Sequence, residues 1–287
     1  MSRFLAVDWG TTNRRVYVID GGLVELTERD GHGVLSVSEG GFPELIQDLR
    51  NRFGDLPMIL AGMVGSNRGW VDAGYVSTPA DIDALAAKAL RPSSGVAIVP
   101  GVSRIVGGRG DVMRGEEVQL LGAAAAGMTP IDALLCQPGT HCKWARMRHG
   151  ALADFVTTMT GEMFSLLKDH SLIGREMLGP VADDDAFRDG VAESAKGDLL
   201  ASLFGVRPSS LLGLRNARDA ASIVSGLLIG ADVRAHAKSG EDVYLLADPT
   251  LGALYSRAIK VVGATPHLVD SHAAFVAGIT QIQERLA

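Results

Sequence analysis

A short polar segment near the start of the chain combines backbone donors, hydroxyl groups and a carboxylate. Residues 8–13 read Asp-Trp-Gly-Thr-Thr-Asn. Gly10 permits a sharp bend and a close approach of the backbone to a ligand. Successive N–H groups in such a turn bind phosphate oxygens, and Asp8 is suited to a hydrated Mg²⁺. The segment therefore fits a nucleoside triphosphate, although an ordinary hairpin with a polar tip has the same pattern.

A second segment of the same design opens the second half of the chain. An apolar run at 133–137 leads into Pro138-Gly139-Thr140-His141 and then into a further run at 142–145. Two glycine–threonine turns on opposite sides of a cleft would hold the β- and γ-phosphates. Phosphoryl transfer needs mainly positioning and charge neutralisation. Arg15 and Lys143, each just beyond its turn, would supply cations to the transferring phosphoryl group.

The same reaction needs a base near the acceptor hydroxyl. Glu116 follows Gly115 at the start of a predicted helix, and the usual glutamate pKa of about 4.3 leaves it ionised. The helix macrodipole alone also explains acids at 116 and 117. His141 is the alternative base, although a loop histidine beside phosphate is more often a donor.

A glycine-rich loop after a buried strand offers groups for a small polar ligand. The apolar run 58–61 precedes Gly-Met-Val-Gly-Ser-Asn-Arg-Gly-Trp at 62–70. Loops at the carboxyl ends of strands usually carry the ligand contacts of α/β sheets. An amide beside a flat indole suits a sugar, although Trp70 packing under the loop is equally open. With two residues from a later segment, the candidate substrate contacts are Ser66, Asn67, Arg68, Trp70, Thr160 and Glu162.

The elements that must position these groups alternate between strands and helices in two successive halves. This pattern predicts an α/β protein with two lobes and a central cleft. The expected first lobe is 1–127, which contains the first glycine turn, the 62–70 loop and Glu116. The expected second lobe is 128–287, which contains the second glycine turn. Predicted strands are 4–9, 14–20, 24–27, 34–37, 58–61, 96–99, 133–137, 142–145, 152–157 and 243–247. Helices are predicted at 42–53, 81–90, from 116, from 160, at 220–237 and at 249–261.

Composition narrows the classes of partner. The 287 residues include 33 acidic and 27 basic side chains, a formal charge of −6, which argues against nucleic acid. No apolar run approaches the roughly 20 residues that span a bilayer, and Asp8 interrupts the first run before a secretory core is complete. A cytoplasmic protein without a membrane partner is expected. Cys136 and Cys142, six positions apart in extended chain, predict neither a disulfide nor a metal site.

Seven motifs follow one another along the chain, at 8–15, 61–70, 113–120, 138–144, 159–162, 225–231 and 275–278. In this order they resemble the motifs of the 2-dehydro-3-deoxygalactonokinase family, in the superfamily of actin, hexokinase and the heat-shock chaperones. The resemblance implies a two-lobed actin/hexokinase-like (ribonuclease H-like) fold with a central nucleotide cleft. It also implies phosphorylation of 2-dehydro-3-deoxy-D-galactonate by ATP at the 6-hydroxyl, with Mg²⁺, in the breakdown of D-galactonate.

The resemblance also implies a role for individual residues. The expected catalytic residues are Glu116, Asp8, Arg15 and Lys143, with Asp8 as the metal ligand. Related sugar kinases carry Asp at the place of Glu116, and their adenosine loop reads Gly-Gly or Gly-Thr where this chain has Asp248-Pro249-Thr250. The expected nucleotide contacts are Gly10, Thr11, Thr12, Asn13, Gly139, Thr140, His141 and Thr250.

Two other functions remain open on this fold. A kinase for another sugar acid or ketose would have the same motifs, since the specificity loops do not define the substrate. An ATP-gated binding or assembly protein would show a stimulated ATPase without a phosphorylated product, but the 62–70 loop suits a small polar ligand better. An iron–sulfur activase is excluded because two cysteines cannot ligate its cluster. The expected partners are the sugar acid and ATP, and a homodimer is compatible with the sequence.

Overall fold

Strands and helices alternate through residues 3–286, the part of the chain that this computed structural model describes. The strands are β1 (Phe4–Trp9), β2 (Arg14–Asp20), β3 (Leu23–Asp30), β4 (Met58–Gly62), β5 (Tyr75–Ser77), β6 (Leu90–Ser93), β7 (Val96–Ile98), β8 (Gly101–Val106), β9 (Arg109–Met113), β10 (Ala133–Gln137), β11 (Cys142–Arg148), β12 (Ala151–Thr158), β13 (Asp242–Leu246) and β14 (Thr265–Val269). The helices are α1 (Phe42–Phe53), α2 (Ile82–Ala87), α3 (Glu116–Ala125), α4 (Thr160–His170), α5 (Asp185–Glu193), α6 (Leu199–Leu211), α7 (Ala220–His236), α8 (Pro249–Val262) and α9 (Ser271–Leu286).

Two sheets share one strand order. The first runs β3-β2-β1-β4-β7-β6 and the second β12-β11-β10-β13-β14. In the first sheet, β1 is antiparallel to β2 and parallel to β4, and β4 is parallel to β7. In the second, β10 is parallel to β13 and β13 to β14. The two predicted strand–turn–strand segments therefore begin two copies of one topology, as their matching design indicated.

The central strands are apolar because they are buried on both faces, as parallel strands usually are. All of β4 is buried, and β1 has one half-buried residue, Asp8. Leu5, Val7 and Trp9 pack with Leu49 of α1 in the core of the first sheet. A separate core joins β10 and β13 to α8 in the second sheet. Both cores place the carboxyl ends of their parallel strands beside polar loops.

The contacts divide the chain into two compact units that are not continuous in sequence. Unit 1 contains Met1–Asp132, Ala145–Phe155 and Ser271–Ala287, and unit 2 contains Ala133–Trp144 and Val156–Asp270. The predicted lobes, 1–127 and 128–287, differ from these units because the chain returns twice to unit 1. The second return is made by α9, which packs along α3. Such a return depends on a long-range helix contact, which local composition does not reveal.

Helices α3 and α9 touch through their backbones. A Cβ atom added at Gly122 would lie 2.1 Å from the carbonyl oxygen of Ala274, and one at Gly278 would lie 2.1 Å from that of Val118. Real Cβ atoms do not approach this closely, so only glycine fits at both positions. This contact fixes α3, the helix that begins at Glu116.

Two local predictions were wrong. Residues 34–37 were expected to form a strand, but Val34–Ser36 is a 3-10 turn whose N–H groups at 34 and 35 bind the carbonyl groups of Gly10 and Thr11. The predicted helix 81–90 ends at Ala87, and Leu90 begins β6 because it pairs with Ile98 of β7. The other predicted elements are present, with ends that differ by a few residues. None of the helices in the described part of the chain is both long and apolar enough to cross a membrane.

The glycine contact between α3 and α9 gives a stability prediction. Gly278→Ala should lower the free energy of unfolding by about 1–3 kcal/mol or more, because the added methyl group overlaps backbone atoms. Gly205→Ala in α6 is the matched control, since no atom outside its own stretch of helix backbone lies within 4 Å of its Cβ position, and it should raise stability by about 0.5–1 kcal/mol. Urea denaturation measures both, and equal effects would contradict the packing described.

Candidate active site

The first glycine turn joins β1 to β2 and is held from behind. The Gly10 N–H donates to the Asn13 carbonyl oxygen at 2.9 Å. Gly33 packs so closely that a Cβ there would lie 2.3 Å from the carbonyl carbon of Thr12. The backbone of the turn therefore has one firmly supported side, while its exposed side chains are those of Thr11, Thr12 and Asn13.

Two carboxylates of unit 1 lie near this turn. Asp8 lies opposite Arg15 in the β1–β2 register, and its carboxylate oxygen is 4.0 Å from Arg15 Nη1. Burial raises the pKa of Asp8 to about 6, Arg15 opposes this rise, and the charge of Glu116 adds to it. The structure thus brings together three of the four predicted catalytic residues. A cation placed beside Asp8 would favour its ionised form.

The start of α3 fixes the backbone at Glu116. Gly115 has φ of 107°, a conformation that favours glycine, and its Cβ position lies 3.2 Å from Gly62 Cα at the end of β4. Glu116 is half-buried, and its Oε2 accepts the Arg114 N–H at 3.0 Å. The bend at 115 therefore turns the chain from β9 into α3 directly against the strand that leads to the 62–70 loop.

Glu117 is a site residue that the sequence analysis did not separate from Glu116. Its side chain is fully buried, and its two oxygens lie 2.8 and 2.7 Å from the Gly115 nitrogen, whose N–H they accept. Burial, followed by the charge of Glu116, raises the pKa of Glu117 to about 8. Its position one turn before the buried Leu120 and Leu121 is the sequence signal that places it on the apolar face of α3.

The second glycine turn joins β10 to β11 and rests on the N-terminus of α4. A Cβ at Gly161 would lie 2.3 Å from the carbonyl oxygen of Gly139. The Glu162 N–H donates to the Thr140 carbonyl oxygen at 2.9 Å. His141 Nε2 lies 2.8 Å from Glu162 Oε2. The first turn of α4 and the glycine turn are therefore one bonded structure within unit 2.

Thr160 and Glu162 were predicted to bind the sugar acid, but their polar groups have other partners here. The Thr160 hydroxyl donates to Asp232 at 2.8 Å, which commits its only hydrogen. Glu162 pairs with His141. The structure thus associates both residues with the second glycine turn in unit 2, whereas the 62–70 loop belongs to unit 1. The sequence did not indicate this grouping because it depends on the backbone contact of Gly161 with Gly139. A contact of Thr160 or Glu162 with the sugar acid stays a prediction.

A small, mostly apolar cavity of about 190 Å³ lies in unit 2 next to the second turn. Asp248 caps α8 by accepting the N–H groups of Thr250 and Leu251 at 2.8 and 3.1 Å. This cap places Thr250, the predicted adenosine contact, at the cavity wall. The wall also includes Gly139, Thr160, Gly161, Ser225 and Tyr255.

Lys143, predicted as a cation for the phosphoryl group, lies in β11 and is only 4% exposed. Removing an ammonium group from water is costly unless an anion lies near it. Lys143 is the second residue of β11, so its charge is close to the second glycine turn. Its role toward the phosphoryl group stays a prediction.

Of the four candidate residues in the 62–70 loop, two support the loop and two are exposed. The buried Ser66 donates from Oγ to the Met63 carbonyl oxygen at 2.7 Å and accepts the Arg68 N–H at 3.2 Å. Trp70 stacks on Phe42, with ring centroids 6.3 Å apart and planes at 7°. These two side chains shape the loop, and a contact of the half-buried Trp70 with the sugar acid stays a prediction. The exposed side chains are those of Asn67 and Arg68.

Arg114 is a second site residue that the sequence analysis left without a role. Its side chain is 5% exposed, lies 4.4 Å above the Tyr75 ring and donates to the Gly74 carbonyl oxygen at 3.1 Å. Its Nε and Nη1 atoms are buried without a hydrogen-bond partner in the described structure. Nη1 lies 3.1 Å from the Cβ position of Gly65. A buried cation therefore lies between the 62–70 loop and the start of α3.

The two cysteines lie closer together than their separation in sequence indicated. Both are buried free thiols, and their sulfur atoms are 3.6 Å apart. The Gly139–Thr140 turn folds β11 back along β10, so residues six positions apart become neighbours across the hairpin. Burial raises the pKa of the Cys136 thiol further above its ordinary value, which keeps it protonated at neutral pH.

Two sheets of one order, each with a glycine turn after its first strand, define an actin- and hexokinase-like fold of the kind found in sugar kinases. Within that class, the chain belongs to the 2-keto-3-deoxy-galactonokinase family, whose model matches residues 8–282. The fold, the family and the enzyme class implied by the sequence motifs, a carbohydrate kinase, are therefore confirmed.

Individual relatives agree with this assignment. The 2-dehydro-3-deoxygalactonokinase of Escherichia coli (strain K12) is 35% identical over 295 residues, covering 100% of this chain and 99% of the relative. A solved structure of a provisionally named 2-dehydro-3-deoxygalactonokinase from Sinorhizobium meliloti has a TM-score of 0.91 and 33% identity, with 98% of each chain covered. An activator of 2-hydroxyisocaproyl-CoA dehydratase from Clostridium difficile shares the fold alone, with a TM-score of 0.50, 12% identity, and 99% and 95% coverage.

The buried Glu117 carboxyl gives a pH-dependence prediction. Because its folded-state pKa is raised from 4.5 to about 8, the folded protein binds this proton more tightly than the unfolded chain. Its contribution to stability is therefore lost as the pH rises from about 5 to 8. Relative to the wild type, Glu117→Gln should gain about 3 kcal/mol or more across that interval, at 1.36 kcal/mol per pKa unit.

The measurement is urea denaturation at pH 5 and pH 8. Glu44→Gln is the control, because Glu44 is an exposed glutamate that also lies in the first turn of a helix. Its stability difference from the wild type should be nearly the same at both values. A pH-independent difference for Glu117→Gln would show that this carboxyl does not retain its proton in the folded state.

Proposed function

We propose that this protein transfers the γ-phosphoryl group of ATP to the 6-hydroxyl of 2-dehydro-3-deoxy-D-galactonate. The observation that carries the proposal is the full-length similarity to an Escherichia coli relative of that name, at 35% identity. The local chemistry supports it, since an acid that begins α3 and a carboxylate at the end of β1 interact electrostatically. A kinase for another sugar acid or ketose is the alternative on the same fold.

Glu116 is the proposed general base. Its carboxylate is half-buried, and one oxygen already accepts the N–H of Arg114, which restrains the side chain near the start of α3. In the reaction it would accept the proton of the 6-hydroxyl as that oxygen attacks the γ-phosphorus. Arg15 would stabilise the charge that spreads over the phosphoryl oxygens, which is where catalysis of this transfer is mainly needed.

Asp8 is the proposed ligand of Mg²⁺. Carboxylate oxygen is the hard donor that this ion prefers. Burial raises the pKa of Asp8 to about 6, and a bound cation would oppose this rise. The described residues contain no group of three or more His, Cys, Asp or Glu that could hold a metal, so water and the nucleotide would supply the other ligands. When bound, Mg²⁺ neutralises charge on the transferred phosphoryl group.

Unit 2 carries the proposed base pocket for the nucleotide. The cavity beside the second turn is apolar, as the faces of a purine ring require, and Thr250 at the start of α8 offers a polar contact. Gly139 and Thr140 would bind phosphate oxygens, as would Gly10, Thr11, Thr12 and Asn13 of the first turn. His141, paired with Glu162, would act as a donor at the phosphates and not as the base.

The sugar acid requires donors for its carboxylate and keto groups. Asn67 and Arg68 are exposed on the 62–70 loop, which Ser66 and Trp70 hold in shape. The buried guanidinium group of Arg114, which pairs with Asp72 at 3.5 Å, lies between this loop and the start of α3. We propose that this activity takes place in the cytoplasm, and a homodimer is compatible with it. The net charge of −6 argues against a nucleic-acid partner.

The catalytic assignment predicts a split between turnover and binding. Glu116→Gln should lower kcat by about 10²–10⁴, the usual contribution of a general base, while the affinity for ATP changes by less than about twofold. Glu44→Gln again serves as the control and should leave kcat unchanged. Coupled detection of ADP measures turnover, and calorimetry measures ATP binding. Full activity in Glu116→Gln would remove Glu116 from this role.

The substrate assignment is tested by a panel of keto-deoxy sugar acids and ketoses with Mg²⁺ and ATP. We expect kcat/KM to be highest for 2-dehydro-3-deoxy-D-galactonate, with the phosphate on its 6-oxygen by NMR. Faster turnover of another panel member would support the alternative kinase. ADP release without any phosphorylated product would instead indicate an ATPase.

A further inference from the structure

Asp232 is a buried acidic residue in the C-terminal half of α7, one turn before its end at His236, and the mechanism above does not use it. It is 7% exposed and accepts hydrogen bonds from three side chains. Trp144 Nε1 donates to Oδ1 at 2.9 Å, while Thr160 Oγ1 and Tyr255 OH donate to Oδ2 at 2.8 and 3.1 Å. His236 also lies near it, with Nε2 3.8 Å from Oδ1. The acid therefore joins β11, α4 and α8 to α7.

Burial of Asp232 costs free energy, and its hydrogen bonds orient the three donors. Moving a charged group out of water costs much free energy unless its hydrogen bonds are satisfied. The other buried residues of α7 are mainly small or apolar. Apolar side chains would pack α7 without that penalty. A carboxylate with three donors instead fixes the orientation of each donor, because such bonds are short and strong.

One of the three donors leads directly to the second glycine turn. Thr160 is the first residue of α4, and the next residue, Gly161, is in backbone contact with Gly139. The residue after that donates its N–H to the Thr140 carbonyl oxygen. A displacement of Thr160 would therefore move the helix end on which the turn rests. Every contact in this series lies within unit 2.

We propose that Asp232 is a positioning residue for the phosphoryl donor: through the Thr160 hydroxyl it holds the N-terminus of α4 and thereby the shape of the Gly139–Thr140 turn. The inference rests on the proposed function in assigning that turn to the nucleotide phosphates. Trp144 and Tyr255 anchor the carboxylate from two further directions, so Thr160 is bonded to a group that is itself fixed.

The first experiment is Asp232→Asn in the full-length protein. The amide keeps one acceptor oxygen and replaces the other with a donor, so at least one of the three donors must change partner. We expect KM for ATP to rise about tenfold, while KM for the sugar acid stays within about twofold. An equal change in both constants, or no change in either, would overturn the proposal.

Ser222→Ala provides the matched control for lost burial and stability. Ser222 is also on α7, is 1% exposed and has one side-chain hydrogen bond to a carboxylate, that of Asp184 at 3.2 Å. That bond leads to the start of α5 and not to the glycine turn. Ser222→Ala should lower Tm while leaving both KM values unchanged. A rise in KM for ATP in this control would show that any loosening of α7 has the same effect.

The second experiment isolates the link through Thr160 and does not depend on Asp232→Asn folding. Thr160→Val removes the hydroxyl at constant shape, whereas Thr160→Ser keeps it. Thr160→Val should weaken ATP binding about tenfold, and Thr160→Ser should largely restore it. The double variant that combines Thr160→Val with Asp232→Asn should bind ATP no more weakly than either single variant, because the two substitutions remove the same link. Additive losses would show that Thr160 contacts the nucleotide independently and would overturn the proposal.

Direct calorimetry with Mg²⁺ and ADP separates this inference from the substrate assignment. No sugar acid is needed, so the variants can be ranked even when the wild type phosphorylates a different acceptor. If the wild type binds ADP and Asp232→Asn binds it about tenfold more weakly, the positioning role holds for any acceptor. If the wild type binds ADP and the variant binds equally well, Asp232 has only a structural role.

Discussion

Backbone contact at glycine is the constraint on which both candidate sites depend. In unit 1, Gly122 and Gly278 let α9 pack against α3, and Gly115 lies against the end of β4 immediately before Glu116. In unit 2, Gly161 lies against Gly139 immediately after Thr160. A side chain at any of these positions would separate backbones that now touch. Glu116 and Thr160 are thus each placed by an adjacent glycine, which has no side chain.

Three buried or half-buried acids illustrate different ways of accommodating a carboxyl group in a protein. Glu117 accepts the Gly115 N–H, and burial raises its pKa to about 8, so it keeps its proton at neutral pH. Asp232 has three donors from three elements. Asp8, with Arg15 at 4.0 Å and a pKa raised to about 6, lies between these cases. Of the three, Asp8 is the acid that we propose as the metal ligand, because it lies beside the first glycine turn.

The sequence allowed good prediction wherever the signal was local. Apolar runs interrupted by glycine turns specify both hairpins, and Glu116 at a helix start follows from the bend at Gly115. Predictions failed where a distant contact decided the outcome. The 34–37 segment forms a 3-10 turn because its N–H groups satisfy carbonyls of the first turn. The bond of Thr160 to an acid 72 positions away was likewise not predicted, while its contact with the sugar acid stays a prediction. The proximity of Cys136 and Cys142 also required the folded hairpin. Side-chain roles therefore were less predictable than strands and helices.

The discontinuity of unit 1 has a consequence for how the protein folds. Helix α9 packs on the glycine face of α3, yet both segments of unit 2 lie between these two helices in sequence. The contact therefore closes a long loop, and contacts of large sequence separation carry an entropic cost before they form. Unit 2 does not include this contact, because none of its residues belongs to α3 or α9. The position of the helix that begins at Glu116 thus depends on a partner that follows the whole of unit 2 in sequence.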